Sequence, residues 1–449
     1  MAVLSKKNDM DMLHGSIMDK IIMFALPAAM SGILQQLLNA VDVAIVGRYA
    51  GGTALAAVGT NGEVINFIIN LIIGISMGSN VLISNYIGSG NLGRVKKAVH
   101  TTLVLAGIIG LLCLVLGQFS TDFVLHFINV PGEIYAAAGL YLRVYLWAMP
   151  FIVVFNFGSA ILRCVGDTKR PLCVLTFSGV VNAILNWILV AEFHIGVAGV
   201  AIATVVSYII SSAIIILLLV REERSIHVEL NQLQIDMQEL REILRLGIPT
   251  GIQSCIFCLA NIAIQAKVNI FGPAAIAGAS VSQTFVSLNY YFISGFEYAS
   301  ATFVSQNYAA KLYDRCKKII ICALTANIAI TLFTSWTTLF FRYELFNLIT
   351  SELEVIKYAD IRIWILLLPY ILSAIYEVLS YSLRGLGYVN LPTVLMIIGI
   401  CVFRIVWLFT VQEWHNTYEV LHYVYPASWI FTDIIIAIAT AFALKKLKL

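Results

Sequence analysis

Charge is scarce in this chain: Asp, Glu, Lys and Arg make up 12% of its 449 residues, about half the share of an ordinary soluble domain. With 60% hydrophobic residues and a mean hydropathy of +0.89, it holds more apolar surface than a globule of this size can hide. Nine Pro and 30 Gly without a triplet period exclude collagen-like and proline-rich disordered chains. Eight Cys are too few for a secreted disulfide scaffold of this length. No G-x4-G-K-[ST] loop is present, so ATP hydrolysis is not the expected energy source. No H-E-x-x-H or Ser/His/Asp grouping appears either, and an enzyme is not expected. Gly88, Gly90 and Gly93 spell G-x-G-x-x-G without a preceding strand, which excludes a dinucleotide site. Cys255 and Cys258 form C-x-x-C inside an apolar run with no second pair nearby, and read as small buried residues.

What is present is long apolar segments. A helix needs roughly 20 apolar residues to cross the hydrocarbon core. Twelve segments meet that need, near 17–46, 57–86, 98–118, 134–161, 172–191, 197–220, 246–271, 276–304, 319–341, 358–383, 392–412 and 421–443. The N-terminal MAVLSKKNDMDMLHGSIMDK is polar, and the apolar run after it is too long for a signal peptide, so it reads as a lead-in to a retained span. Most of the 28 Lys and Arg fall on one side of a twelve-span topology, in GNLGRVKK, RCVGDTKR, 221–245, KLYDRCKK, at Arg384 and in the two termini. Arg48, Arg342, Lys357 and Arg362 are assigned to the opposite loops. The positive-inside rule then predicts a multi-pass protein with both termini cytoplasmic. The basic loops are topology determinants, and no nucleic-acid partner is expected.

The longest polar stretch, REERSIHVELNQLQIDMQELREILRL, bisects the chain, and the two halves repeat across it. Pro27 falls on Pro249 and Asn39 on Asn261 at an offset of 222. Gly74 falls on Gly295, Arg94 on Arg315, Arg163 on Arg384 and Pro171 on Pro392 at an offset of 221. The fold class expected is an all-α polytopic membrane protein, twelve transmembrane helices in two homologous six-helix bundles with a central cavity. The lobes are 1–222 and 246–449, joined by a cytoplasmic connector at 223–245. Six spans per lobe give both the same orientation, with the substrate path between them.

The motifs carry a family resemblance. P-x4-G-x2-QQLLNAVDVAIVGR-x5-ALAAVG in the first span, GIPTGIQS at the seventh and FVSQNYAAKLYDRCKK after the eighth resemble the multidrug and toxic compound extrusion (MATE) transporters. The likeness covers nearly the whole chain. It implies two six-helix lobes around a cavity and export of organic cations in exchange for sodium or protons. It also implies a plasma-membrane location. Carried over by residue, the family's ion site falls on Asp42 in the first span, Asn182 and Asn186 in the fifth and Thr204 in the sixth. Many relatives have Asp where this chain has Asn186. No resident cofactor is expected, with sodium at Asp42, Asn182, Asn186 and Thr204 as the one metal candidate.

The residues themselves support a functional reading. A carboxylate at mid-span costs about 2.5–3.5 kcal/mol on insertion scales, so Asp42 needs a reason to be there. The repeat puts Ile264 opposite it, so the lobes share no structural demand for an acid. Asn182 and Asn186 stand at i, i+4 on one face, where amide oxygens can coordinate a hard cation or simply join helices. Glu297 and Glu377 are the acids best placed to attract cationic substrate in the second half, with Glu63 and Asp433 as weaker candidates. Tyr290 and Tyr291, with Phe257, Phe285 and Phe292, could line an aromatic cavity for flat cations, although any one of them is ordinary packing. Gln36, Asn39, Gln253 and Asn261 complete the cavity candidates, and Pro27 should let the first helix bend.

The leading expectation is a monomeric secondary antiporter exporting amphipathic, cationic organic compounds or drugs, with H+ or Na+ and membrane lipid as its other partners. The alternative is a flippase for lipid-linked sugar or another amphipathic lipid. A flippase cavity for pyrophosphate-linked lipid should be basic. By the assignments above, span acids (Asp42, Glu63, Glu297, Glu377, Asp433) outnumber span bases (Lys267, Arg404 and marginal Arg143), which favours cation export.

Overall fold

The computed structural model describes residues 10–446, the Glu63 side chain excepted. Among the described residues the regular structure is entirely helical. The first half carries α1 (Met18–Tyr49), α2 (Gly51–Gly88), α3 (Leu92–Phe127), α4 (Gly132–Cys164), α5 (Lys169–Glu192) and α6 (Val197–Val220). The second carries α7 (Met237–Phe271), α8 (Pro273–Ala309), α9 (Tyr313–Phe340), α10 (Leu353–Leu367), α11 (Ile371–Gly385), α12 (Asn390–Trp414) and α13 (Tyr418–Lys446). Ten of these are long and apolar enough to cross a membrane, and the pair α10 and α11, bent by 48°, makes an eleventh as one broken span. Pro369 sits at that break, where it can neither donate a backbone hydrogen bond nor avoid the preceding turn. α8 has the length, at 37 residues, but Ser, Gln, Asn and Tyr dilute its apolar character.

Several helices run past the limits expected from hydropathy. α3 starts at Leu92 because Asn91 caps it, its side chain accepting from the Arg94 N–H at 3.2 Å. α7 begins at Met237, so only 221–236 of the polar connector lies outside the long helices, with one 3-10 turn at Leu230–Gln232. That segment is strapped to its surroundings by ion pairs, Lys96 to Glu229 at 2.6 Å and Lys97 to Asp236 at 3.1 Å. Glu222 accepts from both Arg170 and Arg224. Burial alone would raise the Glu222 carboxyl, but these two guanidinium groups outweigh it and bring its pKa down to about 2. It therefore stays ionised, and paired, throughout the ordinary pH range.

The chain forms two compact units: Ser31–Gly251, and Asp11–Met30 with 252–446. These follow spatial contact, whereas the sequence division follows the repeat. α1 therefore starts in one unit and ends in the other, changing three residues past Pro27. α7 does the reverse, changing two residues past Pro249. The repeat-related arginines hold the approaches to these helices. Arg94 Nε donates to Glu239 Oε1 at 2.8 Å near the start of α7. Arg315 donates to the carbonyls of His14 and Gly15 at 3.1 and 3.0 Å, just before α1.

Glycine is required where α2 meets the first half of α7. A Cβ on Gly74 would stand 2.5 Å from Gly251 Cα, and one on Gly78 would stand 2.5 Å from the Gly247 nitrogen. Small residues at such crossings let two backbones meet. Gly74→Ala or Gly78→Ala should each cost about 1–3 kcal/mol through forced separation. Thermal unfolding of the purified protein should register both. Gly59→Ala, with open space around it, should not lower the midpoint.

Candidate functional site

In the first unit, α1 and α5 meet through one polar chain. Asn186 Nδ2 donates to Asp42 Oδ1 and also, at 3.2 Å, to Asn182 Oδ1. The i, i+4 spacing puts both amides on one face, and the π-helical turn Trp187–Glu192 begins directly after Asn186. Asn182 and Asn186 are buried and Asp42 is half-buried. Thr204 is buried too, but its hydroxyl donates to its own helix, to the Val200 carbonyl at 3.0 Å. The four carried-over positions therefore split into a bonded trio and a hydroxyl turned to its own backbone. Asn186 Oδ1 is buried without a partner.

Three tyrosines absent from the sequence reading stand within electrostatic reach of Asp42: Tyr141, Tyr145 and Tyr208. Tyr208 OH also accepts from Gln35 Nε2 at 3.1 Å, and Tyr141 packs on Tyr145 at 5.8 Å between ring centroids. A tyrosine inside a span looks like packing, and only the fold brings these beside the acid. Gln36 is half-buried and Asn39 exposed on α1.

In the second unit, α8 and α11 bring Glu297 and Glu377 together. Both are buried, and both feel the Arg384 guanidinium. Tyr290, two turns before Glu297, and Tyr381, one turn past Glu377, stand beside Glu297. Arg384 Nη2 donates to Gln253 Oε1 at 2.6 Å. Arg384 is not a loop charge as its count among the cytoplasmic bases had it. It is 1% exposed in the last turn of α11. Tyr291 is half-buried, and Phe285 packs against Phe346 with 6.1 Å between ring centroids. Asn261 belongs elsewhere in the unit, bonded to Arg404. The Glu63 side chain lies outside the described residues.

A second correction concerns Arg362, assigned to a loop on the opposite side. It lies inside α10, 5% exposed, within the span already drawn over 358–383. Span bases are therefore more numerous than hydropathy alone suggests, and the excess of acid over base weakens. Ile264, the repeat partner of Asp42, is buried in an apolar cluster with Val268, Ala275 and Leu421.

The MatE family model matches residues 27–188 and again 249–410, once in each half. The chain is 29% identical to the Probable multidrug resistance protein YoeA of Bacillus subtilis, covering 86% of this chain and 85% of that protein. It is 27% identical to the Probable multidrug resistance protein NorM of Thermotoga maritima, over 87% and 84%. A solved outward-facing conformation of a multidrug resistance MATE family transporter of the MOP superfamily superposes with a TM-score of 0.89 at 21% identity, covering 99% of each chain.

Proposed function

The chain belongs to the MatE family of membrane transporters, and on that premise we propose that it is a secondary active antiporter for multidrug efflux. Its substrates are amphipathic organic compounds, cationic ones among them, moved by alternating access between two six-helix lobes of twelve spans in all. Pro27 supplies the bend in α1. The protein works as a monomer in the plasma membrane with both termini cytoplasmic. The double family match, once per half, supports the two-lobe reading. The drug-resistance names of the relatives support efflux and do not favour a lipid flippase.

The observation that carries the coupling reading is the bonded trio. Asp42 is the only acid in it, and the amide facing it donates N–H instead of presenting oxygen. A hard cation needs converging oxygens. Here the Asn182 oxygen is already occupied by Asn186. A single carboxylate steadied by N–H donors suits a proton cycle better than a sodium cage. Sodium is the runner-up, since the same amides can turn their oxygens inward.

Inside-out vesicles test the whole reading. Under an imposed proton gradient, ethidium should accumulate, and the accumulation should collapse on adding a protonophore. A sodium gradient alone should drive none. Sodium-driven uptake that ignores a proton gradient would reverse the ion assignment. Failure under every gradient, with ethidium and norfloxacin both tried, would overturn efflux itself.

A further inference from the structure

The second unit holds a buried basic cluster that neither the ion site nor the Glu297–Glu377 group uses. Arg362 on α10 and Arg404 on α12 are each 5% exposed. Among the described residues neither has a carboxylate within ion-pair distance, and both are held by neutral oxygens. Arg362 Nη1 donates to the Ala279 carbonyl at 3.0 Å and Ser282 Oγ at 2.6 Å, and Nη2 donates to Gln283 Oε1 at 2.6 Å. Arg404 Nη1 donates to Asn261 Oδ1 at 3.0 Å and Nε to Ser428 Oγ at 3.3 Å. Both guanidinium groups lie over one ring, Tyr425, at 6.0 and 4.5 Å from its centroid. Beside them His422 is fully buried, and neither of its ring nitrogens has a hydrogen-bond partner. Arg362 Nε has none either. Arg362 acts electrostatically on both His422 and Tyr418.

Two buried guanidinium charges on one ring lose hydration, and among the described residues no acid pairs with either of them. Neutral oxygens and one aromatic face compensate only in part. The cluster nonetheless has a way out. Asn261 and Gln283, whose oxygens the arginines hold, are both exposed polar residues on α7 and α8. An amide oxygen bound to a guanidinium occupies the position a carboxylate oxygen would take, with less charge. The repeat sharpens the contrast. α1 and α5 are joined by a carboxylate and an amide, whereas the equivalent α7 and α12 are joined by an amide and a guanidinium. The polarity of the link is inverted between the two halves.

We propose that Arg362 and Arg404, framed by His422 and Tyr425, form an anion-binding anchor that takes the carboxylate of an amphipathic organic acid or zwitterion. The carboxylate replaces the amide oxygens of Asn261 and Gln283, and the substrate's ring system lies against Tyr425. The inference rests on reading the chain as an exporter of amphipathic compounds, and it narrows their chemistry. Purely cationic dyes leave this anchor unused, and carboxylate-bearing compounds engage it.

The test is equilibrium binding to the purified full chain in neutral detergent, which needs no gradient and so cannot fail for lack of transport. The probes are norfloxacin, a fluorescent zwitterion, and its methyl ester, which lacks the anionic group. Wild type should bind the acid about tenfold more tightly than the ester, the scale of one charge-assisted hydrogen-bond pair. Arg404→Gln and Arg362→Gln should each erase that difference by weakening the acid about tenfold more than the ester. Arg404→Lys, which keeps the charge and a donor, should retain part of the preference if the Gln variants fold poorly. Benzoate should displace the acid, and not the ester, from wild type, a result that requires no variant. Equal wild-type affinity for acid and ester would overturn the proposal. So would displacement of the acid by phosphatidylglycerol but not by benzoate, which would assign the anchor to a lipid headgroup.

Discussion

Asp42→Asn should abolish gradient-driven efflux while leaving substrate binding intact. The substitution is nearly isosteric and keeps an oxygen where Asn186 Nδ2 donates, so the α1–α5 contact survives. What it removes is the only charge in the trio. In a proton cycle Asp42 alternates between an anion held by N–H donors and a neutral acid, and each form favours a different packing of α1. Asparagine freezes the neutral form. Coupled efflux should fall at least about a hundredfold, to the leak rate, because a transition that depends on neutralising one group has no substitute. Affinity for norfloxacin in detergent should change by less than about threefold, since substrate contacts are not altered. Loss of binding in parallel with transport would make Asp42 a substrate residue. Unchanged efflux would remove it from the mechanism. Asn186→Asp adds a second carboxylate, and should shift the driving ion towards sodium by supplying a charged oxygen in place of an N–H donor.

The resemblance put this trio together in the sequence, and only part of its signal is local. The i, i+4 spacing of Asn182 and Asn186 fixes a common face once α5 is a helix, and an acid inside a span needs a reason. Repeat comparison then separated Asp42 from Ile264, which the fold buries in apolar packing. The tyrosines were not legible. Tyr141, Tyr145 and Tyr208 approach Asp42 from α4 and α6, and only the folded arrangement brings those helices to α1. Arg362 and Arg384 were misplaced for a different reason. Arg362 was counted with the loops although the span drawn over 358–383 contains it, and Arg384 stands one residue past that span but within α11. Both proved buried, and the charge balance of the spans changed with them. The break between α10 and α11 hid in the hydropathy pattern, because bent and straight segments have the same mean hydropathy. The exchange of α1 and α7 between compact units near Pro27 and Pro249 is a matter of contact alone, although both prolines are visible in the repeat.

Glu297→Gln and Glu377→Gln should separate charge recognition from packing in the second unit. Two buried carboxylates face one guanidinium there, and Arg384 already donates to Gln253. With both acids ionised the group carries one net negative charge, and a monovalent cation entering it is attracted far more than it would be in water. Neutralising either glutamate leaves Arg384 to balance the other, so the net attraction disappears with the first substitution. Each single variant should therefore lose about tenfold in export of ethidium, and the double variant little more. Export of a neutral amphipath of similar size should stay within about twofold of wild type in all three, because shape and aromatic contact are kept. Glu297 also has Tyr290 and Tyr381 beside it, and Gln at that position can still accept from either hydroxyl. Glu297→Leu cannot, and should lower the unfolding midpoint where Glu297→Gln does not. If ethidium and the neutral compound lose equally, the two glutamates hold α8 against α11 and have no part in choosing cations. If the double variant loses tenfold again beyond either single one, the acids act independently and Arg384 neutralises neither.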